Sequence, residues 1–216
     1  MLIIKALNIG LPKRESFFGK EYLTGICKLP VPGPVRLTQQ GFEGDGVGDR
    51  KNHGGADKAV CAYSLDHYPY WGRELGITLP DAAFGENLSV EGLHEEDVRI
   101  GDIYRAGTAV MQVSQPRQPC GTLAARYGRP DLVKVVSDSG RTGFYFKVLT
   151  GGLVKAGDPL VLTEPDPRGV TIAFANRIWH SDRQNREGIE KVLSVPALSG
   201  AWRKSFEELR SKAGQV

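Results

Sequence analysis

Cysteine is scarce in this chain, and a long uncharged apolar run is missing. Three cysteines among 216 residues are too few, and odd in number, for a disulfide framework, which predicts a reducing compartment and hence a cytoplasmic protein. No uncharged stretch approaches the roughly 20 apolar residues of a membrane span. The apolar start from Leu2 to Ile9 carries Lys5 and lacks a basic leader, so we predict a strand there and not a signal peptide.

An excess of charge of one sign is missing too. The net charge is +3 with 25% charged residues, a balance too even for a chain that binds nucleic acid or an anionic membrane through a basic surface. We therefore expect no nucleic acid and no membrane partner, and electrostatics that act locally.

Standard metal and nucleotide motifs are also missing. The four histidines are scattered and neither Cys-x-x-Cys nor His-Glu-x-x-His occurs, so a zinc site made by protein ligands alone is not predicted. Gly-Lys followed by Ser or Thr is absent, and no Gly-x-Gly-x-x-Gly opens a helix after a strand. The usual nucleotide-binding folds are thereby excluded.

Short segments rich in valine, isoleucine and aromatic residues, separated by glycine and proline, run from residue 1 to about residue 164. This pattern is typical of a barrel or sandwich. Helices are predicted from about Asp66 to Leu75 and after Pro130. We therefore predict a mostly β, barrel-like domain with inserted helices over residues 1–165. The predicted strands cover residues 2–9, 21–28, 35–38, 59–63, 87–90, 102–105, 109–114, 143–149 and 159–163.

After Gly169 the apolar spacing changes to the helical period. Val170, Phe174 and Ile178 recur at four-residue intervals and two further stripes follow, which predicts a three-helix domain over residues 166–216. We interpret this domain as a packing or dimerisation module. Covering the mouth of an active site or docking a partner are alternatives, and the chain is expected to be a monomer or a homodimer.

The densest chemical signal is Cys120, which follows two prolines, Pro116 and Pro119. The prolines keep the approach extended, and residues 122–127 are predicted to form a short helix closed by Gly128. The thiol would then lie near a helix N-terminus, with Arg117 three residues upstream. Both features lower a thiol pKa and favour the thiolate, which is a nucleophile or a soft metal ligand.

A second motif is the glycine-rich segment 41–60. Six glycines among residues 41–55 cost backbone entropy and so indicate positive φ or close approach. Glycine amides can form an anion-binding nest, and Arg50, His53 and Lys58 add cationic donors that suit a phosphate. The alternative is a long hairpin connection with solvated charges. Gly54 and Gly55 directly follow the histidine.

Two smaller groups of residues can complete a site. Glu86 and Asn87 stand at the entry to a predicted strand, where they can hydrogen-bond the edge of a heterocycle; a tight turn is the alternative. Arg141 lies between glycines and suits a bidentate phosphate contact, although a surface arginine in a turn explains it equally well. Cys27 and Cys61, within apolar strands, are predicted to be small core residues.

In these residues the chain resembles the MOSC family, which is named for the C-terminal domain of molybdenum-cofactor sulfurases. It most closely resembles the YiiM-like branch, which has a C-terminal three-helix extension. The matching pieces are Gly48 to Val60, with its run His53-Gly54-Gly55 and Lys58-Ala59, then Phe84 to Leu88, Gly101-Asp102, Gln115 to Cys120 and the helical tail. The resemblance implies a β-barrel-like fold that holds molybdopterin-bound molybdenum, with Cys120 as the metal ligand. It also implies reduction of N-hydroxylated compounds, such as hydroxylaminopurines, with electrons from a separate flavin-type reductase.

The residue chemistry and the resemblance lead to one hypothesis. Cys120 ligates the metal, and His53 is the first candidate for the proton donor, with Asp49 or Glu86 as weaker ones. The alternatives are a sulfur carrier that forms a persulfide on Cys120, and a cofactor carrier without turnover. In the hypothesis the remaining residues hold the cofactor: Arg50, His53, Gly54, Gly55 and Lys58 at its phosphate, Arg117 and Arg141 nearby, and Glu86 and Asn87 at the pterin or the substrate.

Overall fold

A computed structural model describes residues 1–49 and 53–213 of the chain. Within these residues the backbone forms thirteen strands and six α-helices. The strands are β1 (Leu2–Ile9), β2 (Lys13–Phe17), β3 (Lys20–Thr24), β4 (Leu29–Pro30), β5 (Val35–Thr38), β6 (Gly41–Phe42), β7 (Val60–Ser64), β8 (Leu88–Val90), β9 (Ile103–Ala106), β10 (Ala109–Pro116), β11 (Phe144–Thr150), β12 (Gly152–Val154) and β13 (Pro159–Glu164).

Seven of the strands close into a barrel. Their order is β13, β9, β10, β11, β7, β8 and β1, and β1 pairs again with β13 through Leu2 opposite Leu160. All neighbours are antiparallel except β7 and β8, which run parallel. Closure removes the unpaired edges that an open sheet would expose. Outside the barrel, β4 extends from β1, β12, β5 and β6 form a small sheet, and β2 and β3 form a hairpin.

Side chains fill the barrel, as expected for so few strands. Ile4, Val60, Met111 and Phe146 are fully buried members of one apolar core. The helices lie around this core, and none within the described residues is long and apolar enough to cross a membrane. The helices are α1 (Tyr68–Leu75), α2 (Gly121–Arg126), α3 (Leu132–Ser139), α4 (Ile172–His180), α5 (Arg186–Leu193) and α6 (Gly200–Ala213).

The last three helices have clear starts and a shared apolar face. Thr171 caps α4 by accepting from the backbone N–H of Phe174 at 3.0 Å, and Asn185 caps α5 by accepting from that of Gly188 at 2.8 Å. Buried residues of all three helices, among them Phe206, belong to the same apolar core as the barrel. The predicted boundary at residue 165 stays a prediction, because the core is continuous across it.

The prediction of a mostly β barrel with helical insertions and C-terminal helices is confirmed. Each of the nine predicted strands has a counterpart, but β2, β4, β6 and β12 were not predicted because they are short and carry no clear alternation. The strand predicted over residues 21–28 is wrong in its second half, since β3 ends at Thr24. There the chain passes so close to the next loop that a Cβ on Gly25 would lie 2.2 Å from the carbonyl oxygen of Gly46.

Candidate active site

A cavity of about 490 Å³ opens beside the barrel. Its wall combines the base of the β2–β3 hairpin, the loop after β6, the segment before β7, the turn before β8 and the junction of β10 with α2. Elements far apart in the sequence therefore supply the lining. Of the predicted site residues in the described ranges, seven line it: His53, Gly54, Gly55, Lys58, Asn87, Arg117 and Cys120.

Cys120 is the N-cap residue of α2, with an extended backbone at φ −120° and ψ 164°. Its carbonyl accepts from the backbone N–H of Leu123 at 3.0 Å, but its side chain makes no capping hydrogen bond. Burial raises the pKa of the thiol, yet the hydrogen bond with His53 and the charge of Arg117 outweigh burial and lower the pKa to about 6. The thiolate is therefore the dominant form at neutral pH.

Arg117 is a buried cation next to this thiol, with 5% of the residue exposed. Its backbone N–H donates to the carbonyl of Gly143 at 3.0 Å, which ties the end of β10 to the start of β11. Its Nη2 donates to the carbonyl of Phe84 at 2.8 Å, whereas its buried Nη1 has no acceptor among the described residues. A buried guanidinium without a carboxylate partner favours an anion beside it, and the Cys120 thiolate is one.

The segment around His53 faces the same cavity. Gly55 has φ +104°, a value that favours glycine, and nothing lies within 4 Å of the position of a Cβ there. Its carbonyl accepts from the backbone N–H of Lys58 at 2.9 Å, and burial lowers the pKa of the Lys58 ammonium. Arg50, the remaining cation predicted in this segment, lies outside the described residues.

The glycines of the preceding loop serve a different purpose from the predicted anion nest. A Cβ on Gly48 would lie 2.0 Å from the carbonyl oxygen of Leu23, and one on Gly46 would lie 2.8 Å from the ring of Pro12. These glycines let the loop pack directly on the backbone of the β2–β3 hairpin. The contact joins two walls of the cavity.

Two predicted site residues do not line the cavity. Glu86 is fully buried, and its carboxylate accepts from the hydroxyl of Tyr68, from the backbone N–H of Phe84 at 3.0 Å and from the hydroxyl of Ser89 at 3.1 Å. It holds the turn before β8 together. Arg141 stacks on the ring of Tyr70, with its guanidinium carbon 4.4 Å from the ring centre.

Lys28 and Asp45 are cavity residues that the sequence analysis missed. They form a buried ion pair, and the other carboxylate oxygen of Asp45 accepts from Nδ2 of Asn87 at 2.8 Å. Asn87 also accepts from the backbone N–H of Cys61 at 3.0 Å through Oδ1. Asp45 stands in the glycine-rich loop between Gly44 and Gly46, where an acid flanked by glycines was a usable signal, but nothing in the sequence links it to Lys28.

Cys61 is buried, as predicted for a small core residue, and it also lines the cavity. Burial raises the pKa of its thiol to about 12, and the charge of Arg117 offsets this only in part. Cys61 is therefore a neutral thiol at physiological pH. The cavity is thus lined by one thiol that is ionised at neutral pH, Cys120, and by one that is neutral, Cys61.

The residues present fit a phosphorylated cofactor that brings a soft metal. A thiolate faces the cavity, His53 and Lys58 add donors, Arg117 has an unused buried N–H, and the open space at Gly55 leaves room beside the backbone. Among the described residues no group of three or more His, Cys, Asp or Glu side chains is placed to hold a metal ion. A metal at Cys120 would need its other ligands from the molecule that carries it.

Comparison with known proteins agrees with this geometry. The MOSC domain family model matches residues 49–161, and the model described as YiiM-like, 3-alpha helix domain matches residues 170–213. The Bacillus subtilis protein YflK, described as uncharacterized, is 48% identical over 209 residues, which cover 97% of this chain and 95% of YflK.

A crystal structure of YiiM from Geobacillus stearothermophilus superimposes with a TM-score of 0.84 at 41% identity, covering 97% of this chain and all of that one. A Gibberella moniliformis protein named Reductase is 37% identical over 161 residues, which are 72% of this chain and 28% of the fungal protein. The fold, including the three C-terminal helices, is thus shared with the Geobacillus stearothermophilus protein. This chain belongs to the MOSC domain family, in its YiiM-like branch with a three-helix extension.

Proposed function

We propose that this protein is a molybdenum-cofactor-dependent oxidoreductase that reduces N-hydroxylated compounds to amines. The observation that carries the proposal is a single thiol, Cys120, whose pKa lies near 6 and which faces a cavity lined by His53, Lys58 and Arg117. Family membership supports the cofactor, and the fungal relative named Reductase supports the class of reaction. Cys120 is the proposed metal ligand.

The reaction balances as a two-electron reduction. An N–OH group takes up two electrons and two protons, the N–O bond breaks, and an amine and water leave. The bound cofactor supplies the redox-active metal that exchanges these electrons. The chain contributes binding and orientation: Gly54, Gly55 and Lys58 surround the proposed phosphate position, and the buried charge of Arg117 holds Cys120 as a thiolate.

His53 is the proposed proton donor. It hydrogen-bonds the Cys120 thiol and lines the cavity, a position from which it would protonate the leaving oxygen of a substrate bound beside Cys120. Asp49 also lines the cavity, and its carbonyl accepts from the backbone N–H of His53 at 3.0 Å. We do not propose Glu86 as the acid for this step, because its carboxylate accepts hydrogen bonds from Tyr68 and Phe84 in the turn before β8.

Electrons are proposed to come from a separate flavin-type reductase in the cytoplasm. The matched region makes up 28% of the fungal Reductase, so most of that protein lies outside the match. In our proposal the electron donor is a protein separate from this one. The working form stays predicted as a monomer or a homodimer.

Replacement of Cys120 by alanine tests the proposal. Protein made in a cofactor-competent host is analysed for molybdenum, for the fluorescent oxidation product of the pterin, and for reduction of an N-hydroxylated purine by an added reductant. We expect about one metal per parent chain and loss of metal or of turnover in Cys120→Ala, with the fold retained. The matched control is Cys27→Ala, a half-buried cysteine outside the cavity wall.

Two results would contradict the proposal. Amine formation by Cys120→Ala at the parent rate would show that this thiol is not the metal ligand. Parent protein that carries metal and pterin but forms no amine would identify a cofactor carrier instead of an enzyme.

A further inference from the structure

The Lys28–Asp45 pair is a buried ion pair in the cavity wall. The side chains are only 6% and 11% exposed, and both line the cavity. Oδ1 of Asp45 accepts from the Lys28 ammonium and, at 2.9 Å, from the backbone N–H of Gly10; Oδ2 accepts from Asn87. The carboxylate is therefore held by three separate parts of the chain and cannot rotate freely.

The pair keeps unused hydrogen-bonding capacity. An ammonium has three N–H donors, and within the part of the chain that the structure describes Lys28 donates to Asp45 alone. Each carboxylate oxygen can accept twice, and Asp45 Oδ2 has one donor, Asn87. A fixed cationic donor thus stands beside a fixed anionic acceptor at the cavity surface.

Fold stability does not explain such a pair. Desolvation of two charges cancels much of their attraction, and apolar residues of similar volume are often equally stabilising. In a cavity wall the same pair can bind a ligand, because a guest that offers an acceptor next to a donor can hydrogen-bond both side chains at once. The fixed carboxylate favours a planar guest whose two groups are rigidly spaced.

We propose that Lys28 and Asp45 recognise the amide or amidine edge of a planar heterocycle, with Lys28 donating to a ring carbonyl or ring nitrogen and Asp45 accepting from the adjacent N–H. The inference deepens the proposed function and rests on it for the identity of the guest. Two guests have this edge: the pterin of the cofactor and a nucleobase-like substrate. Glu86, for which such a contact was predicted, faces into the protein, and this pair takes its place at the cavity surface.

The first arm of the test uses cofactor-free protein and needs no activity. Binding of pterin is followed by its fluorescence and compared with binding of 1,3-dimethyllumazine, in which methyl groups replace both ring N–H hydrogens, so that its carbonyls have no adjacent donor. We expect parent protein to prefer pterin, and Asp45→Asn to lose about tenfold or more of that preference. Asp166→Asn is the matched control, a buried aspartate paired with Arg168 at 3.2 Å and away from the cavity.

A second variant separates a loss of binding from a loss of the fold. Lys28→Met combined with Asp45→Leu removes both charges, so that neither is left buried alone, and far-UV circular dichroism checks the fold. Loss of pterin selectivity in both variants supports recognition of the cofactor's edge.

The second arm uses loaded enzyme and two substrates, an N-hydroxylated purine and phenylhydroxylamine, which has no such edge. If the substrate is the guest, Asp45→Asn raises KM about tenfold or more for the purine and leaves phenylhydroxylamine unchanged, at parent pterin content. Unchanged selectivity in both arms would overturn the inference. Failure of the parent to reduce any N–OH compound would instead overturn the proposed function, and the pterin and dimethyllumazine measurements would still stand.

Discussion

The chemistry of the candidate site depends on how one thiol is charged. The local sequence places Cys120 at the start of α2 and puts Arg117 three residues before it. The charge of Arg117 lowers the pKa of the thiol. The backbone N–H of Leu123, in the first turn of α2, also lowers the pKa of the thiol, though less than His53 and Arg117 do. The decisive partner is His53, which the fold brings from 67 positions earlier in the chain.

Alkylation should report the charge of this thiol directly. We expect the rate of Cys120 modification by iodoacetamide in cofactor-free protein to rise through pH 6 and to level off above it, because the pKa is about 6. Below pH 6 the protonated thiol reacts slowly. His53→Ala should move the midpoint to higher pH by removing a stabilising hydrogen bond, as measured by mass spectrometry of the modified peptide.

Cys61 is the internal control, since burial raises the pKa of its thiol to about 12 and it should stay unmodified in folded protein at neutral pH. A Cys120 midpoint near 8.5, the value of a free cysteine, would contradict the assignment of an activated thiolate.

At the scale of elements, the cavity exists because a glycine loop and a hairpin pack backbone to backbone. Gly25 meets Gly46, and Gly48 meets Leu23, at distances that no Cβ tolerates. The many glycines of segment 41–55 therefore divide between two tasks. Gly46 and Gly48 shape the wall, while Gly55 leaves space within the cavity.

Gly48→Ala should lower the free energy of unfolding by about 1–3 kcal/mol, the usual cost of forcing extra volume into a packed site. The added Cβ would meet the carbonyl oxygen of Leu23, which is backbone and cannot turn aside. Urea denaturation measures the loss. Gly33→Ala is the matched control, because nothing lies within 4 Å of its Cβ position and its φ is not positive. Equal stability of the two variants would refute the close packing.

At the scale of the whole molecule, the barrel and the three C-terminal helices share one apolar core. Phe206 of α6 is fully buried and packs with Trp179 of α4 and Trp202, at ring-centre distances of 5.7 Å and 5.5 Å. The same continuous cluster includes Val113 of β10. We therefore expect the helices to unfold together with the barrel.

Phe206→Ala should destabilise the whole protein by about 3–5 kcal/mol, the typical cost of a large cavity in a core. Far-UV circular dichroism and tryptophan fluorescence should then give one coincident urea transition, shifted to lower concentration. Phe18→Ala should change stability far less, since Phe18 is 78% exposed at the tip of the β2–β3 hairpin. Two separate transitions in Phe206→Ala would show that the helices form an independent unit.

The sequence by itself determined most of the strands and helices, because a period of two or 3.6 in apolar residues is a local property. β1 and β5 have their predicted bounds. It also determined the reactive residue types, since Cys120 and His53 stand in short distinctive motifs. The short strands β4 and β6, with two residues each, carry too little pattern to be predicted.

Only the tertiary structure decided which side chains meet. Closure of the barrel through Leu2 and Leu160 joins strands from the two ends of the barrel segment, and no local pattern encodes such a pairing. No local pattern encodes the Lys28–Asp45 pair in the cavity wall either, nor the direction of the Glu86 side chain, which faces away from the cavity. Direction and burial follow from packing of distant segments, because a side chain's free energy depends on every neighbour that replaces water around it.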